Sequence, residues 1–87
     1  MSFYVYIIQS KLDNSFYKGF TENPASRLVQ HNNGESLYTS KKIPWKLVCL
    51  LLFETKQQAL IKEKKLKKYS TASLVALINS SQNILHK

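Results

Sequence analysis

Hydrophobic and polar positions alternate along two short stretches near the start of the chain. The stretches Phe3–Gln9 and Phe16–Thr21 are rich in aromatic and β-branched residues, and Lys11–Asn14 between them is typical of a turn. A period of two is the pattern of a strand with two different faces. The two stretches therefore predict a β-hairpin.

Signals for a helix follow the hairpin. Asn23 is a good N-cap, Pro24 suits the first helical position, and Gly34 suits the position just past the end. These residues predict a helix of about ten residues, within the usual length of helices in globular proteins. Its core face is expected to consist of Ala25, Leu28 and Val29.

The second half of the chain predicts one more strand and two helices. Lys46–Phe53 is largely apolar and fits a strand buried on both faces. Thr55 can cap a helix that runs to about Tyr69, and Ser70 or Thr71 can cap another. The apolar stripe of the last helix consists of Leu74, Leu77 and Ile78.

The element order is thus ββαβαα, which favours an α+β fold. A hairpin at the start and strands that do not alternate regularly with helices predict a small three-stranded antiparallel sheet flanked by helices. The length of 87 residues allows one core and one site. We expect a single domain over residues 1–80 and a C-terminal tail over residues 81–87.

Composition narrows the class of partner. The net charge of +8 and a pI near 9.8 favour a polyanion such as nucleic acid. The apolar run Leu47–Phe53 is far shorter than the roughly 20 residues of a membrane-spanning helix, and the N-terminus lacks signal-peptide features. Cys49, the only cysteine, fits a buried thiol in a reducing compartment. We expect a cytoplasmic protein with no membrane partner, and the sequence leaves its oligomeric state open.

Glu63 occupies an unusual position on the helix after the third strand. Ala59, Glu63 and Leu66 recur at i, i+4 and i+7, so the glutamate shares the stripe that should face the core. A carboxylate placed there needs a partner. A salt bridge to a nearby lysine would satisfy it, and a role as metal ligand or acid–base group is the alternative.

Arg27 and His31 lie four residues apart on the first helix and so share a face. Together they could bind a phosphate group. The alternative is an ordinary solvated helix face.

Two tyrosines of the hairpin are expected on one side of the sheet. A loop with an even number of residues places Tyr6 and Tyr17 on the same face, where cross-strand packing is the simplest explanation. Gly19 interrupts the second strand, and a glycine in a short strand often marks close approach by a ligand or another backbone.

These residues, taken in order, resemble the GIY-YIG nuclease domain. The likeness runs from the N-terminus to about Ile78 and is strongest to small stand-alone bacterial members, which are similar to the nuclease domain of the excinuclease C subunit of excision repair. The matching positions are Tyr4-Val5-Tyr6, a gap of ten residues, Tyr17-Lys18-Gly19, Arg27, His31, the loop pair Tyr38-Thr39, and Glu63. The chain departs from the family pattern in lacking the leading glycine of the first tripeptide and in carrying Phe20 where many members have a polar group.

The resemblance implies a catalytic role for five residues. Tyr6 and Tyr17 match the tyrosines that flank the scissile phosphate, and we assign them jointly to activation and positioning of the attacking water. Arg27 matches the family's helix arginine, and His31 matches a histidine found in some members. Glu63 matches the ligand of a single divalent ion, Mg²⁺ or Mn²⁺, and Gly19 is expected to be structural within the site.

The expected function is metal-dependent hydrolysis of DNA phosphodiester bonds, structure-selective or nonspecific. A group of lysines is expected to contact the DNA backbone, although a solvated surface would look the same. The group comprises Lys18, Lys41, Lys42, Lys64, Lys67 and Lys68. Two alternatives remain: a noncatalytic nucleic-acid-binding module with the same fold, and a protein-interaction domain that uses the apolar surface of the last helix.

Overall fold

The computed structural model describes residues 2–86 and contains one three-stranded antiparallel sheet. The strands are β1 (Phe3–Ser10), β2 (Phe16–Thr21) and β3 (Trp45–Phe53). The helices are α1 (Pro24–Asn32), α2 (Lys56–Leu66) and α3 (Thr71–Ile78). Short 3₁₀ turns cover Ser40–Lys42 and Ile84–His86. The predicted α+β class and the order ββαβαα are confirmed.

Strand β1 lies at the centre of the sheet and pairs with β2 on one side and β3 on the other. Tyr6 lies opposite Gly19 of β2 and Leu50 of β3, so these three residues belong to one face. We call this side the tyrosine face. Their neighbours along each strand form the opposite side, which we call the aliphatic face.

The aliphatic face is covered by α2 and α3. Its buried residues are Val5, Ile7, Cys49 and Leu51 from the sheet and Ala59, Leu66, Leu74 and Leu77 from the helices. The helical stripes predicted from the sequence therefore reach the core, with Ile78 packed at its margin. Cys49 is buried as expected, and burial raises the pKa of its thiol to about 11.

The tyrosine face is covered by α1 and by the final turn of the described chain. Its buried residues are Tyr6, Ile8, Trp45 and Leu50, with Leu28 and Ile84 packed against them. Asn83 fixes the final turn: its side-chain oxygen accepts from the Leu50 N–H at 3.0 Å, and its amide donates to the Val48 carbonyl at 2.9 Å. Part of the segment after residue 80 is therefore packed onto β3.

The prediction for α1 is right about its ends and wrong about its buried face. The Asn23 side chain accepts from the Ser26 N–H, and Gly34 has a φ of +76° just beyond the helix. Ala25 and Val29, however, are exposed. The buried positions are His31 and, in part, Leu28, because hydrogen bonds satisfy both nitrogens of the imidazole and allow a polar residue to replace an aliphatic one.

Two further expectations need correction. Cys49–Leu51 is buried on both faces of β3, but Leu52 is half exposed because helices cover only part of this edge strand. Helix α2 begins after the Thr55 cap as predicted but ends at Leu66, with Lys67 as its C-cap, rather than near Tyr69. Helix α3 is capped by Ser70. Among the helices of residues 2–86, none has the length and apolar character that crossing a membrane requires.

Candidate active site

Three aromatic side chains meet on the tyrosine face beneath α1. The Tyr6 and Tyr17 ring centroids lie 6.5 Å apart, and the His31 ring lies 5.7 Å from Tyr6 and 5.2 Å from Tyr17. The antiparallel register brings the two tyrosines together, as the even loop length predicts. The helix supplies the histidine from above.

His31 is fully buried and bonded through both ring nitrogens. Nε2 lies 2.8 Å from the Tyr6 hydroxyl, and Nδ1 lies 2.7 Å from the Thr39 hydroxyl. Burial, reinforced by the positive charge of Arg27, lowers the pKa of His31 to about 4. The imidazole is therefore neutral at neutral pH, and a solvated helix face does not describe this residue.

Gly19 makes room for the Tyr6 ring. A Cβ atom built on Gly19 would overlap the Tyr6 side chain, which crosses directly over this position of β2. The sequence pattern indicated close approach by a ligand or a backbone, whereas the close neighbour is a side chain of the site itself. Glycine at this position thus lets Tyr6 reach His31.

The charges of Arg27 on α1 and Glu63 on α2 both influence the pKa of the Tyr6 hydroxyl. Burial raises the pKa of Tyr6 above its ordinary value, and the Arg27 guanidinium opposes that rise as a hydrogen-bond donor and as a charge. The negative charges that Tyr17 and Glu63 can carry push the Tyr6 pKa upward. Arg27 also donates to the Gln30 side chain at 2.9 Å, which steadies the guanidinium. The charges of the arginine and the glutamate therefore have opposite effects on the Tyr6 pKa.

Glu63 is half-buried between two fully buried positions of α2, Ala59 and Leu66. The described residues contain one ion pair, between Lys42 and Asp13 at 3.1 Å, so the salt bridge considered for Glu63 is not formed. Residues 2–86 hold no group of three or more His, Cys, Asp or Glu side chains that could bind a metal. A divalent ion would therefore depend on Glu63 together with water and substrate oxygens, a donor set that suits Mg²⁺.

Three residues that sequence reasoning gave no role complete the buried network: Thr39, Trp45 and Asn32. The Thr39 carbonyl accepts from the Trp45 indole N–H at 2.9 Å, and the Trp45 ring lies 6.4 Å from the Tyr17 ring. Asn32 holds the Trp45 backbone through both its N–H and its carbonyl. The Tyr38-Thr39 pair in the family likeness was the available signal, but the local pattern does not show that Thr39 bonds to His31.

The six predicted lysines lie in four different surroundings. Lys18 and Lys67 line an open cleft of about 330 Å³ together with Tyr17. Lys42 is paired with Asp13 beside the hairpin turn, and Lys64 borders a separate shallow groove along α2. Lys41 and Lys68 are exposed outside both depressions. The structure thus brings two of the six lysines next to a tyrosine of the cluster.

Phe20 does not belong to this cluster. It points to the aliphatic face, where its ring lies 6.3 Å from the Phe3 ring and Lys56 Nζ lies 6.0 Å from its centroid. The departure from the family pattern at this position therefore serves packing on the other side of the sheet.

Comparisons with known proteins match this arrangement. The GIY-YIG catalytic domain family matches residues 2–75. A UPF0213 protein of Staphylococcus saprophyticus is 36% identical over 77 residues, covering 87% of this chain and 93% of the relative. A UPF0213 protein of Clostridium perfringens is 41% identical over 78 residues, covering 88% of this chain and 83% of the relative.

A solved structure shows the same fold. The solution NMR structure of a UPF0213 protein from Bacillus halodurans aligns with a TM-score of 0.61 and 31% sequence identity, covering 94% of this chain and 87% of that one. The family match spans the three strands, α1, α2, the first part of α3 and the aromatic cluster described above. The chain therefore belongs to the GIY-YIG family, a family of nuclease domains that act on nucleic acid.

Proposed function

We propose that the protein is a metal-dependent endonuclease that hydrolyses DNA phosphodiester bonds, structure-selectively or without sequence preference. One observation carries the proposal: Tyr6, Tyr17 and His31 form a single cluster, and the charges of Arg27 and Glu63 both influence the pKa of the Tyr6 hydroxyl.

Phosphodiester hydrolysis requires positive charge near the scissile phosphate. Negative charge builds up on the non-bridging and leaving oxygens as the bond breaks, and an arginine is well suited to stabilise it. Arg27 would supply that charge from α1. A Mg²⁺ or Mn²⁺ ion held by Glu63 would add Lewis-acid stabilisation of the same oxygens.

The two tyrosines differ in solvent exposure, and we assign them different roles in catalysis on that basis. Tyr17 lines the open cleft, whereas Tyr6 is only 3% exposed and bonds to His31. We assign Tyr17 to contact with the attacking water or the phosphate. Tyr6 links the cleft to His31, whose neutral imidazole can accept a proton.

The tautomer of His31 follows from its neighbours. The Thr39 hydroxyl donates to the Ser36 carbonyl and therefore accepts from His31 Nδ1, so Nε2 is left to accept the hydroxyl proton of Tyr6. Nδ1 then carries the imidazole proton and donates to Thr39. Transfer of a proton from the attacking water to the Tyr6 oxygen, with release of the Tyr6 hydroxyl proton to His31 Nε2, would leave hydroxide as nucleophile, a neutral Tyr6 and a protonated His31.

DNA binding is expected to be mainly electrostatic. The charge of +8 and the exposed lysines favour contacts with backbone phosphates, and such affinity falls steeply as salt rises. The buried free thiol Cys49 is compatible with work in the cytoplasm, where thiols stay reduced.

The direct experiment incubates the purified protein with duplex, nicked, branched and single-stranded DNA in Mg²⁺, Mn²⁺ or chelator. The proposal predicts cleavage that requires a divalent ion, and DNA affinity whose logarithm falls linearly with the logarithm of salt concentration. Salt-dependent binding without cleavage would instead support a noncatalytic nucleic-acid-binding module. Absence of both would favour a protein-interaction domain.

A further inference from the structure

A tyrosine next to the aromatic cluster is almost fully exposed. Tyr38 is 86% exposed, in the loop between α1 and β3, and lines the same 330 Å³ cleft as Tyr17, Lys18 and Lys67. Large aromatic side chains usually gain free energy from burial. Because the Tyr38 ring borders a cleft that also contains two lysines and a cluster tyrosine, it is available to a ligand bound in that cleft.

The backbone beside Tyr38 is held in place. Its neighbour Thr39 is fully buried, bonds to His31 through its hydroxyl, and accepts from the Trp45 indole through its carbonyl. The Thr39 N–H also donates to the Ser36 carbonyl at 3.2 Å. The loop thus fixes the Tyr38 backbone relative to the aromatic cluster while its ring stays in solvent.

We propose that this cleft binds one unpaired nucleotide next to the scissile phosphate. The base stacks on the Tyr38 ring, and Lys18 and Lys67 neutralise the adjoining phosphates. The cleft volume is near the lower end of the range of small-molecule sites, about 300–1,000 Å³. This inference rests on the proposed nuclease function and gives its substrate class.

The stacking contact requires a base that has left the double helix. In a continuous duplex both faces of each base are covered by neighbouring bases, so an aromatic side chain beside the backbone reaches only a base that is unpaired. The preferred substrate is therefore DNA with a single-stranded segment or junction rather than uninterrupted duplex. Stacking tolerates all four bases, so no sequence preference is expected.

The test measures binding in chelator, where no cleavage is needed. A DNA duplex with a single-stranded overhang carries the fluorescent base 2-aminopurine in the overhang, and a blunt duplex of equal length serves as the comparison substrate. Tyr38→Ala removes the ring, Tyr38→Phe keeps it, and Leu37→Ala is the matched control. Leu37 is 90% exposed in the same loop but does not line the cleft.

Tyr38→Ala should weaken overhang binding about 10-fold, within the range measured for loss of one stacked base, and should abolish the fluorescence quenching seen on binding. Tyr38→Phe and Leu37→Ala should behave like the wild type, and blunt-duplex binding should be the same in all four proteins. Equal loss on both DNAs, or quenching retained by Tyr38→Ala, would overturn the inference. Cleavage assays in Mg²⁺ are scored separately: a Tyr38-dependent overhang preference without cleavage would contradict the nuclease function and leave the subsite intact.

Discussion

The two faces of the sheet are built from alternate residues of the same three strands, yet they differ in what they bury. The aliphatic face buries hydrocarbon and one thiol under α2 and α3. The tyrosine face buries hydroxyl and imidazole groups, each with a hydrogen-bond partner among the described residues. An unpaired polar group in such a place costs about 1–3 kcal/mol.

Because of this difference, the aliphatic face contributes mainly to folding stability, whereas the tyrosine face carries the groups that we assign to catalysis. The aliphatic face needs only apolar volume and close packing. The tyrosine face holds donors, acceptors and an aromatic wall that opens to a cleft through Tyr17. Truncation of apolar side chains on the aliphatic face should therefore act mainly on the free energy of unfolding, and removal of a hydroxyl from the tyrosine cluster should act mainly on cleavage.

The largest expected effect is on cleavage, when a site hydroxyl is removed. Tyr6→Phe and Tyr17→Phe should each lower the cleavage rate by about 100-fold or more, because general acid–base catalysis contributes on the order of 10²–10⁴. Tyr4→Phe is the matched control, since Tyr4 lies on the same strand and face outside the aromatic cluster. Rates and melting temperatures are measured on the same preparations.

Tyr17→Phe should melt close to the wild type because its ring keeps its packing. Tyr6→Phe also leaves His31 Nε2 without its partner, so it should lower the free energy of unfolding by about 1–3 kcal/mol while the protein stays folded. If Tyr6→Phe and Tyr17→Phe cleave as fast as Tyr4→Phe, the tyrosine face is a second core rather than an active site.

A smaller effect is expected on the aliphatic face, where a substitution should lower stability and leave cleavage unchanged. Leu66 is fully buried at the end of α2, so Leu66→Ala should lower the free energy of unfolding by about 2–5 kcal/mol. Denaturant melts measure the loss. At a temperature where the variant remains folded, its cleavage rate per folded molecule should match that of the wild type. A large loss of this rate would show that the aliphatic face also contributes directly to cleavage.

The smallest effect comes from pH. The pKa of His31 is lowered in the folded protein to about 4 from about 6.5, so the unfolded chain binds the proton more readily between these values. The neutral imidazole stabilises the fold above about pH 6.5, and that contribution is lost as pH falls toward 4, by about 3 kcal/mol at most.

Melting temperatures from pH 7 to pH 4 test this prediction. His31→Gln should flatten the pH dependence in that window, whereas His86→Gln, which changes an exposed histidine, should retain it. An unchanged profile in His31→Gln would assign the acid sensitivity to other groups.

The sequence predicts the sheet and the caps well because their signals are local. Alternation in the hairpin places Tyr6 and Tyr17 on one face, and the Asn23, Thr55 and Ser70 caps begin the helices where expected. These features depend on neighbours within a few residues.

What the sequence misses depends on contacts between distant elements. Hydropathy ranks Val29 above His31, so the buried face of α1 is predicted wrongly; the hydroxyl partners of His31 lie 25 and 8 residues away along the chain. The cleft that Tyr38 and Lys67 share likewise forms only when the loop after α1 meets the end of α2. The periodicity of residues within one helix or strand carries no information about contacts between distant elements.

The central claim is that the cluster and Glu63 act together as one metal-dependent site, and Glu63→Gln tests it most directly. The change keeps the shape of the side chain and removes its charge, and a neutral amide is a weaker ligand for a hard cation. Glu54→Gln, at an exposed carboxylate, is the control. In single-turnover cleavage assays over a Mg²⁺ titration, we expect Glu63→Gln to lose cleavage while DNA affinity is kept or increased and the control matches the wild type. Cleavage by Glu63→Gln at the wild-type rate with the same Mg²⁺ dependence would contradict the account.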